Sequence, residues 1–415
     1  MAGSVMVPSV SIGLALCVLI FFALSLKPLE ARGTFGRLAG KPPQRTAAGG
    51  ICASSVHIYG YKCEEHDVVT QDGYILNMQR IPEGRTGAGA GGGGKRQPVL
   101  IQHGILVDGM SWLLNPADQN LPLILADQGF EVWMGNTRFS RRHKYLDPSQ
   151  RAFWNWSWDE LVSYDLPAMF DHIHGLTGQK IHYLGHSLGT LIGFASFSEK
   201  GLVDKVRSAA MLSPVAYLSH MTTVIGDIAA KSFLAEATSI LGWAEFNPKS
   251  GLVGGFIKAI CLKAGIDCYD LLSVITGKNC CLNASTIDLF LANEPQSTST
   301  KNMIHLAQTV RDKELRKYNY GSSDHNIKYY GQAIPPAYNI SAIPHDLPLF
   351  FSYGGLDSLA DVKDVEFLLD QFKYHDIDKM NVQFVKDYAH ADFIMGVTAK
   401  DVVYNQVATF FKRQA

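Results

Sequence analysis

The stretch Ile181-His182-Tyr183-Leu184-Gly185-His186-Ser187-Leu188-Gly189-Thr190-Leu191-Ile192 decides the fold. Its first four residues read as a short buried strand, Gly185 to Gly189 fit G-x-S-x-G, and Thr190 to Lys200 reads as a helix. Strand, tight turn and helix in that order raise a serine hydroxyl at the carboxyl edge of a sheet. Both glycines are needed because the turn is strained and a side chain at either place would strike the neighbouring strand or helix. Ser187 is therefore the candidate nucleophile.

Further apolar runs lie on either side: Val99-Leu100-Ile101, Phe130 to Met134, Ala209 to Leu212, Leu349 to Tyr353 and Val382 to Val385. Helix-length segments separate them. Continuous apolar strands alternating with helices predict an α/β fold, a mostly parallel sheet covered on both faces. Ahead of them, His66 to Thr70 and Tyr74 to Ile81 flank Asp72-Gly73, which reads as a hairpin. The glycine-rich stretch within Glu83 to Gln97 lacks the Lys-Ser/Thr ending of a phosphate-binding loop and reads as a surface spacer.

One interval breaks the rhythm. From Tyr217 to His345 roughly 130 residues separate two core strands, far more than a βα connection takes. They hold helix-like patterns at Val224 to Leu241, Leu252 to Lys263 and Thr300 to Arg316. The organisation predicted is a core made of 51–216 and 346–415, with a mainly helical cap or lid inserted at 217–345. Residues such as Phe233, Leu234, Trp243 and Phe246 give that insertion apolar surface, suited to packing on the core or to facing lipid.

A serine hydroxyl is a weak nucleophile at neutral pH, so an imidazole must take its proton and a carboxylate must orient the imidazole. On this fold the acid comes before the histidine, each after a later strand. Asp357, in Gly354-Gly355-Leu356-Asp357 beyond the Leu349 run, fits the acid. Asp361 competes, but it better suits the N-cap of a helix over Val362 to Phe372. His390, in Tyr388-Ala389-His390-Ala391-Asp392-Phe393 after the Val382 run, fits the base, whereas His375 falls before its strand, at the wrong end of the sheet. Two backbone N–H groups should hold the oxyanion: Leu188, after the serine, and Ile105, in the turn after Val99-Leu100-Ile101. His103 stands ahead of that turn and reads as a brace for the loop. His182 and His186 have metal-like i, i+4 spacing, but they sit on a strand and a turn and lack the Glu of H-E-x-x-H. No cofactor and no metal is called for.

Lys plus Arg number 37 and Asp plus Glu 38, for a net charge of −1. Without a basic excess there is no electrostatic case for nucleic acid as a partner. A hydrophobic content of 47% and a charged content of 18% describe a chain that can bury a large core. The run from Ile12 to Leu26, followed by a small-residue site at Ala31, reads as a signal peptide over 1–31, with an uncleaved anchor as the alternative. Beyond that segment six cysteines remain, at 52, 63, 261, 268, 280 and 281. In an exported chain they allow up to three disulfides. Cys52 and Cys63 form a natural local pair, while the adjacent Cys280 and Cys281 are not expected both to bridge easily. No paired CxxC spacing suggests zinc. Sequons at Asn155, Asn283 and Asn339 are glycosylation candidates.

Taken together, Leu100-Ile101-Gln102-His103-Gly104, Val132-Trp133-Met134-Gly135-Asn136-Thr137-Arg138, Tyr164-Asp165-Leu166-Pro167-Ala168, the serine elbow, Gly354 to Asp361 and His390 to Phe393 resemble the acid lipase family. That family comprises the gastric and lysosomal acid lipases and the plant triacylglycerol lipases related to them, and the plant branch looks nearest. The resemblance covers about residues 51 to 415. It implies an α/β-hydrolase core, a lid that covers the serine until a lipid–water interface is met, and cofactor-free hydrolysis of triacylglycerols or related neutral esters. It requires no obligate protein partner, and it implies the secretory pathway, with an extracellular, vacuolar or lysosomal destination. Where many relatives carry Gln after the nucleophile, this chain has Leu188, whose N–H is equally available. The competing expectations are an esterase or acyltransferase acting on soluble or steryl esters, and a non-catalytic α/β-hydrolase that binds a ligand.

Overall fold

The apolar runs become the strands of one sheet. A computed structural model describes residues 50–85, 95–138, 142–199, 201–223, 230, 236, 239, 242–250 and 271–414. Its strands are β1 (Glu64–Val69), β2 (Ile75–Ile81), β3 (Pro98–Gln102), β4 (Glu131–Gly135), β5 (Ile181–Ser187), β6 (Val206–Pro214), β7 (Glu245–Phe246), β8 (Thr298–Ser299), β9 (Leu349–Gly354) and β10 (Met380–Val385). Eight form the main sheet in the order β1-β2-β4-β3-β5-β6-β9-β10, while β7 and β8 make a separate two-stranded ribbon. The β1–β2 hairpin is antiparallel and β2 pairs antiparallel with β4. Every pairing from β4 through β3, β5, β6 and β9 to β10 is parallel.

The period of two along each strand sorts side chains between two apolar layers. On one face Leu100, Trp133 and Tyr183 pack with the helices Leu166–Thr177, Leu188–Ser198 and Val362–Asp370. On the other, Val99, Ile101, Val132, Met134 and Leu184 pack with the helices Leu121–Asp127 and Asn405–Arg413. Strands β3, β4, β5 and β9 are buried along their whole length, as strands covered on both faces must be. β10 differs from the continuous apolar run expected: it is the sheet's edge, with Val382 and Phe384 exposed.

A buried ion cluster ties the hairpin to this framework. Arg138, just past β4, is wholly buried; its Nη1 donates to Asp72 Oδ2 at 2.8 Å and its Nε to Asp165 Oδ1 at 3.0 Å. Its backbone N–H meets Asp165 Oδ2 at 2.9 Å, and its guanidinium lies 4.0 Å from the centre of the Tyr74 ring. Two carboxylates and an aromatic face thus compensate a charge that no water reaches.

Between β6 and β9 the described residues form the helices Leu271–Thr276, Ala284–Asn293, Thr300–Asp312 and Ser323–Tyr330 and the β7–β8 ribbon. The expected helix over Thr300 to Arg316 begins where expected, capped by Ser299, and ends early because Lys313 turns left-handed at φ 58°. The expected helices Val224 to Leu241 and Leu252 to Lys263 lie almost wholly outside the described residues, as do the leader, most of the glycine spacer, and Cys261 and Cys268. No described helix is long and apolar enough to cross a membrane.

Cys52 and Cys63 are joined as expected. Cys280 and Cys281 depart from expectation: both are bridged, and to each other. Adjacent sulfurs can close a small ring of their own. Asn155, Asn283 and Asn339 are all exposed.

Candidate active site

Parallel strands end at one edge of the sheet, and the elements expected there meet. Ser187 closes β5 with φ 55° and ψ −120°, an unusual conformation for a residue with a side chain. The tight crossing that holds it explains both glycines. A Cβ on Gly185 would stand 2.8 Å from the Gly189 carbonyl carbon, and one on Gly189 would stand 2.5 Å from the carbonyl oxygen of Gln102 on β3.

The candidate acid and candidate base come together. His390 Nδ1 lies 2.9 Å from Asp357 Oδ2 and 3.0 Å from Oδ1. Asp357 Oδ1 also accepts the N–H groups of Leu359 and Ala360 at 2.9 and 2.8 Å, which pin the carboxylate's orientation. Burial works to raise the Asp357 pKa, but His390 and the two N–H donors outweigh it and hold it below the ordinary aspartate range. An ionised Asp357 keeps the ring proton on Nδ1 and leaves Nε2 as the acceptor. Nε2 is buried and makes no hydrogen bond, not even to Ser187 Oγ, so its lone pair is uncommitted.

His186 links base and elbow. Its Nε2 donates to the His390 carbonyl oxygen at 3.0 Å, and the two rings stand 4.7 Å apart. Burial, followed by the nearby His390, pushes the His186 pKa down to about 3, so this ring stays neutral beside His390. The loop after β3 arrives from the other side: a Cβ on Gly104 would lie 3.0 Å from Ser187 Cβ, which sets the Gly104-Ile105 peptide against the elbow. His103 braces that loop. Its Nδ1 donates to Gly104 O at 2.8 Å and its Nε2 accepts the Thr137 N–H at 3.3 Å, and burial lowers its pKa. Leu188 starts the helix Leu188–Ser198, is buried, and belongs to the apolar layer that includes Tyr183.

The rejected candidates sit elsewhere. Asp361 caps the helix Val362–Asp370 by accepting the Lys363 N–H at 2.9 Å. His375 Nε2 donates to Leu347 O at 2.8 Å, and His182 Nδ1 is held 2.8 Å from Ser208 Oγ.

Two features of the site were not singled out from sequence. Thr276 O, from the segment between β6 and β9, accepts the N–H of His390 at 3.1 Å and that of Ser358 at 3.3 Å, so this segment touches the loops that carry His390 and Asp357. Asp392 accepts N–H groups from Ala389 at 2.8 Å and from Cys280 and Cys281 at 3.1 Å each. Its only signal in sequence is its position two residues after His390. Cys280, Cys281 and Asp392 are a group of metal-ligating types with their ligand atoms within 4.8 Å of one another. The sulfurs are bonded together and the carboxylate is taken up by backbone donors, which makes this a tie between the segment that carries Cys280 and Cys281 and the His390 loop.

Comparison with known proteins bears on this geometry. Residues 97–395 match the family model described as alpha/beta hydrolase fold, and residues 52–116 match one described as a partial alpha/beta-hydrolase lipase region. Triacylglycerol lipase 2 of Arabidopsis thaliana is 95% identical over 100% of both chains. Gastric triacylglycerol lipase of Homo sapiens is 35% identical over 91% of this chain and 94% of its own. Lysosomal acid lipase/cholesteryl ester hydrolase of Homo sapiens is 34% identical over 97% of this chain and 98% of its own. Among solved structures, a soluble variant of the monoglyceride lipase from Saccharomyces cerevisiae superposes with a TM-score of 0.53 at 13% identity, covering 86% of this chain and 96% of that one, a likeness of fold alone.

Proposed function

Because the chain belongs to the α/β-hydrolase family, in the branch of the gastric and lysosomal acid lipases, we propose that Ser187, His390 and Asp357 are the nucleophile, base and acid of its reaction. The protein is a carboxylic ester hydrolase of lipid esters. Its substrate in this reading is a neutral lipid ester of the triacylglycerol type, met at a lipid–water interface.

The observation that carries the assignment is the buried His390–Asp357 pair, 2.9 Å apart, with an uncommitted Nε2, on a loop whose His390 carbonyl is held by His186, the residue before the strained Ser187. The serine oxygen attacks the ester carbonyl carbon while Nε2 takes its proton. The carbonyl oxygen becomes an oxyanion, held by the N–H groups of Leu188 and Ile105. Collapse breaks the ester bond, and the imidazolium returns its proton to the departing alcohol. Water repeats the cycle on the acyl-serine and releases the fatty acid. Asp357 stabilises the imidazolium formed in each half.

Ser187 is only 6% exposed, and Asp357 and His390 4% each, so the site must open for a lipid to enter. The contacts of Thr276 with both triad loops support reading 217–345 as the cap that opens. The Cys52–Cys63 disulfide supports an oxidising compartment on the secretory route, with an extracellular, vacuolar or lysosomal destination, where the exposed Asn155, Asn283 and Asn339 are accessible to glycosylation.

A fluorophosphonate probe and a substrate series of triolein, cholesteryl oleate and a short water-soluble ester test the proposal. Wild type should label at Ser187 and hydrolyse triolein, and Ser187→Ala should lose both. An unlabelled Ser187 in folded protein ends the assignment. Hydrolysis confined to the soluble ester ends the triacylglycerol reading.

A further inference from the structure

Glu294 lies between the helix Ala284–Asn293 and β8 and is fully buried, yet the reaction as described gives it no part. Its Oε1 accepts the backbone N–H of Asp108 at 3.1 Å. Two residues on, the Gln296 N–H donates to Leu106 O at 2.7 Å. Leu106 and Asp108 belong to the loop that begins at Gly104 and Ile105, so residues 294 and 296 of the insertion hold alternate residues of that loop.

This part of the loop needs holding. Leu106 adopts φ 60°, a left-handed conformation that a branched side chain enters only under constraint. Upstream, His103 fixes the Gly104 carbonyl. Downstream, Asp108 Oδ1 accepts the Met110 N–H at 2.8 Å and the Gly109 N–H reaches Asn136 Oδ1 at 2.6 Å. Between those anchors the insertion's contacts with Leu106 and Asp108 fix the turn that aims the Ile105 N–H.

We propose that Glu294 is a positioning residue for the oxyanion hole, clamping the Leu106–Asp108 turn through its buried carboxyl group on the Asp108 backbone N–H. The proposal deepens the catalytic reading given above and rests on it. Glu294 faces Asp108 across this turn, with its Oε1 on the Asp108 backbone N–H. Glu294 Oε2 is buried and no donor reaches it, so an ionised form would leave that oxygen unpaired beside a second negative charge. Burial, and after it the charge on Asp108, hold the Glu294 pKa well above the usual carboxylate range. The groups facing Glu294 are Asp108, the neutral Gln296, and His103 at the head of the loop, whose pKa burial lowers.

The sign follows from this. Below its raised pKa Glu294 is neutral and the clamp is closed. As pH rises through that value the proton leaves, a buried Glu294 carboxylate faces the half-buried Asp108, and the turn loosens. Stabilisation of the oxyanion is then lost on the alkaline side, as a fall in kcat.

The experiment compares the full chain with Glu294→Gln, Glu294→Ala, Asp108→Asn and Ser187→Ala. It measures kcat and KM on a soluble monomeric ester across the acid to alkaline range, with melting temperatures and fluorophosphonate labelling recorded for each protein. Glu294→Ala should lower kcat by about tenfold while KM changes by less than about twofold. Glu294→Gln keeps the shape and the hydrogen bonds but cannot ionise, so it should recover most of that loss at acid pH and hold its rate where wild type declines. Asp108→Asn should also extend the alkaline limb, since it removes the opposing charge. A Glu294→Gln profile that superposes on wild type, or a Glu294→Ala loss lying wholly in KM, overturns the clamp. Should Glu294→Ala fail to fold, the Gln and Asp108→Asn profiles decide alone. If wild type neither labels at Ser187 nor turns over the ester, the catalytic reading has failed and the clamp falls with it. A failed clamp leaves both of those signals intact.

Discussion

Replacing Asp357 by Asn changes one atom and tests the logic of the whole site. The backbone N–H groups of Leu359 and Ala360 reach Oδ1 at 2.9 and 2.8 Å, so the amide oxygen must occupy that place. The amide nitrogen then takes the place of Oδ2, 2.9 Å from His390 Nδ1. Flipping the amide would break two buried hydrogen bonds, so it stays as described. Two N–H donors cannot face one another; the ring moves its proton to Nε2, and Nε2 can no longer accept one from serine. The negative charge that stabilised the imidazolium is lost as well. Loss of the correct tautomer in a Ser-His-Asp site costs about 10⁴-fold in kcat, or about 5 kcal/mol of transition-state stabilisation. The assay is kcat and KM on a short soluble ester, with circular dichroism and a melting curve to show the fold intact. KM should change little. A folded Asp357→Asn enzyme that loses less than tenfold in kcat refutes the role assigned to the carboxylate.

Three further outcomes follow from the same framework. Gly189→Ala puts a methyl group 2.5 Å from the Gln102 carbonyl oxygen, so β3 and the helix Leu188–Ser198 must part; a cost of about 1–3 kcal/mol and a lower melting temperature are expected, and an unchanged melt refutes the close crossing. Arg138→Met strands the buried Asp165 carboxylate without its partner and should destabilise by about 3–5 kcal/mol in urea unfolding. Asp159 accepts from the Tyr338 hydroxyl at 2.8 Å and from the Tyr318 N–H at 2.7 Å, and burial, opposed by these bonds and by Lys317 and aided by Glu160, pushes its pKa from 3.8 up to about 7. The folded protein holds that proton more tightly than the unfolded chain, so its stabilising effect is complete below pH 3.8 and is lost as pH climbs to about 7. Asp159→Asn should remove that slope from melting temperatures taken across the window, and an unchanged slope refutes the assignment.

The serine elbow was legible because its constraints are local. Two glycines, a strand before and a helix after all lie within one short stretch, and the crossing that Gly189 makes with β3 leaves no other residue acceptable there. Asp357 and His390 were legible for a related reason: parallel strands all end at one edge, so a residue just past a strand's end is already placed. Edge and interior were less distinct. The run Val382 to Val385 looks like the central strands, and only the order of the sheet shows that β10 has a single neighbour. Cys280 and Cys281 illustrate a different limit, since their pairing depends on a backbone held by Asp392, far along the chain.

From the residues alone came the strand–helix rhythm, the long interval between two core strands, and the identities of the candidate nucleophile, base and acid, because each is written as a pattern over a few neighbouring positions. What tertiary structure decided is whatever depends on burial between distant segments. The unbonded Nε2 of His390, the neutral His186 behind it, and the raised pKa of Glu294 arise because water is excluded where β3, β5 and the segment between β6 and β9 meet. A carboxyl or imidazole group has no such chemistry until a fold removes its solvent and chooses its neighbours.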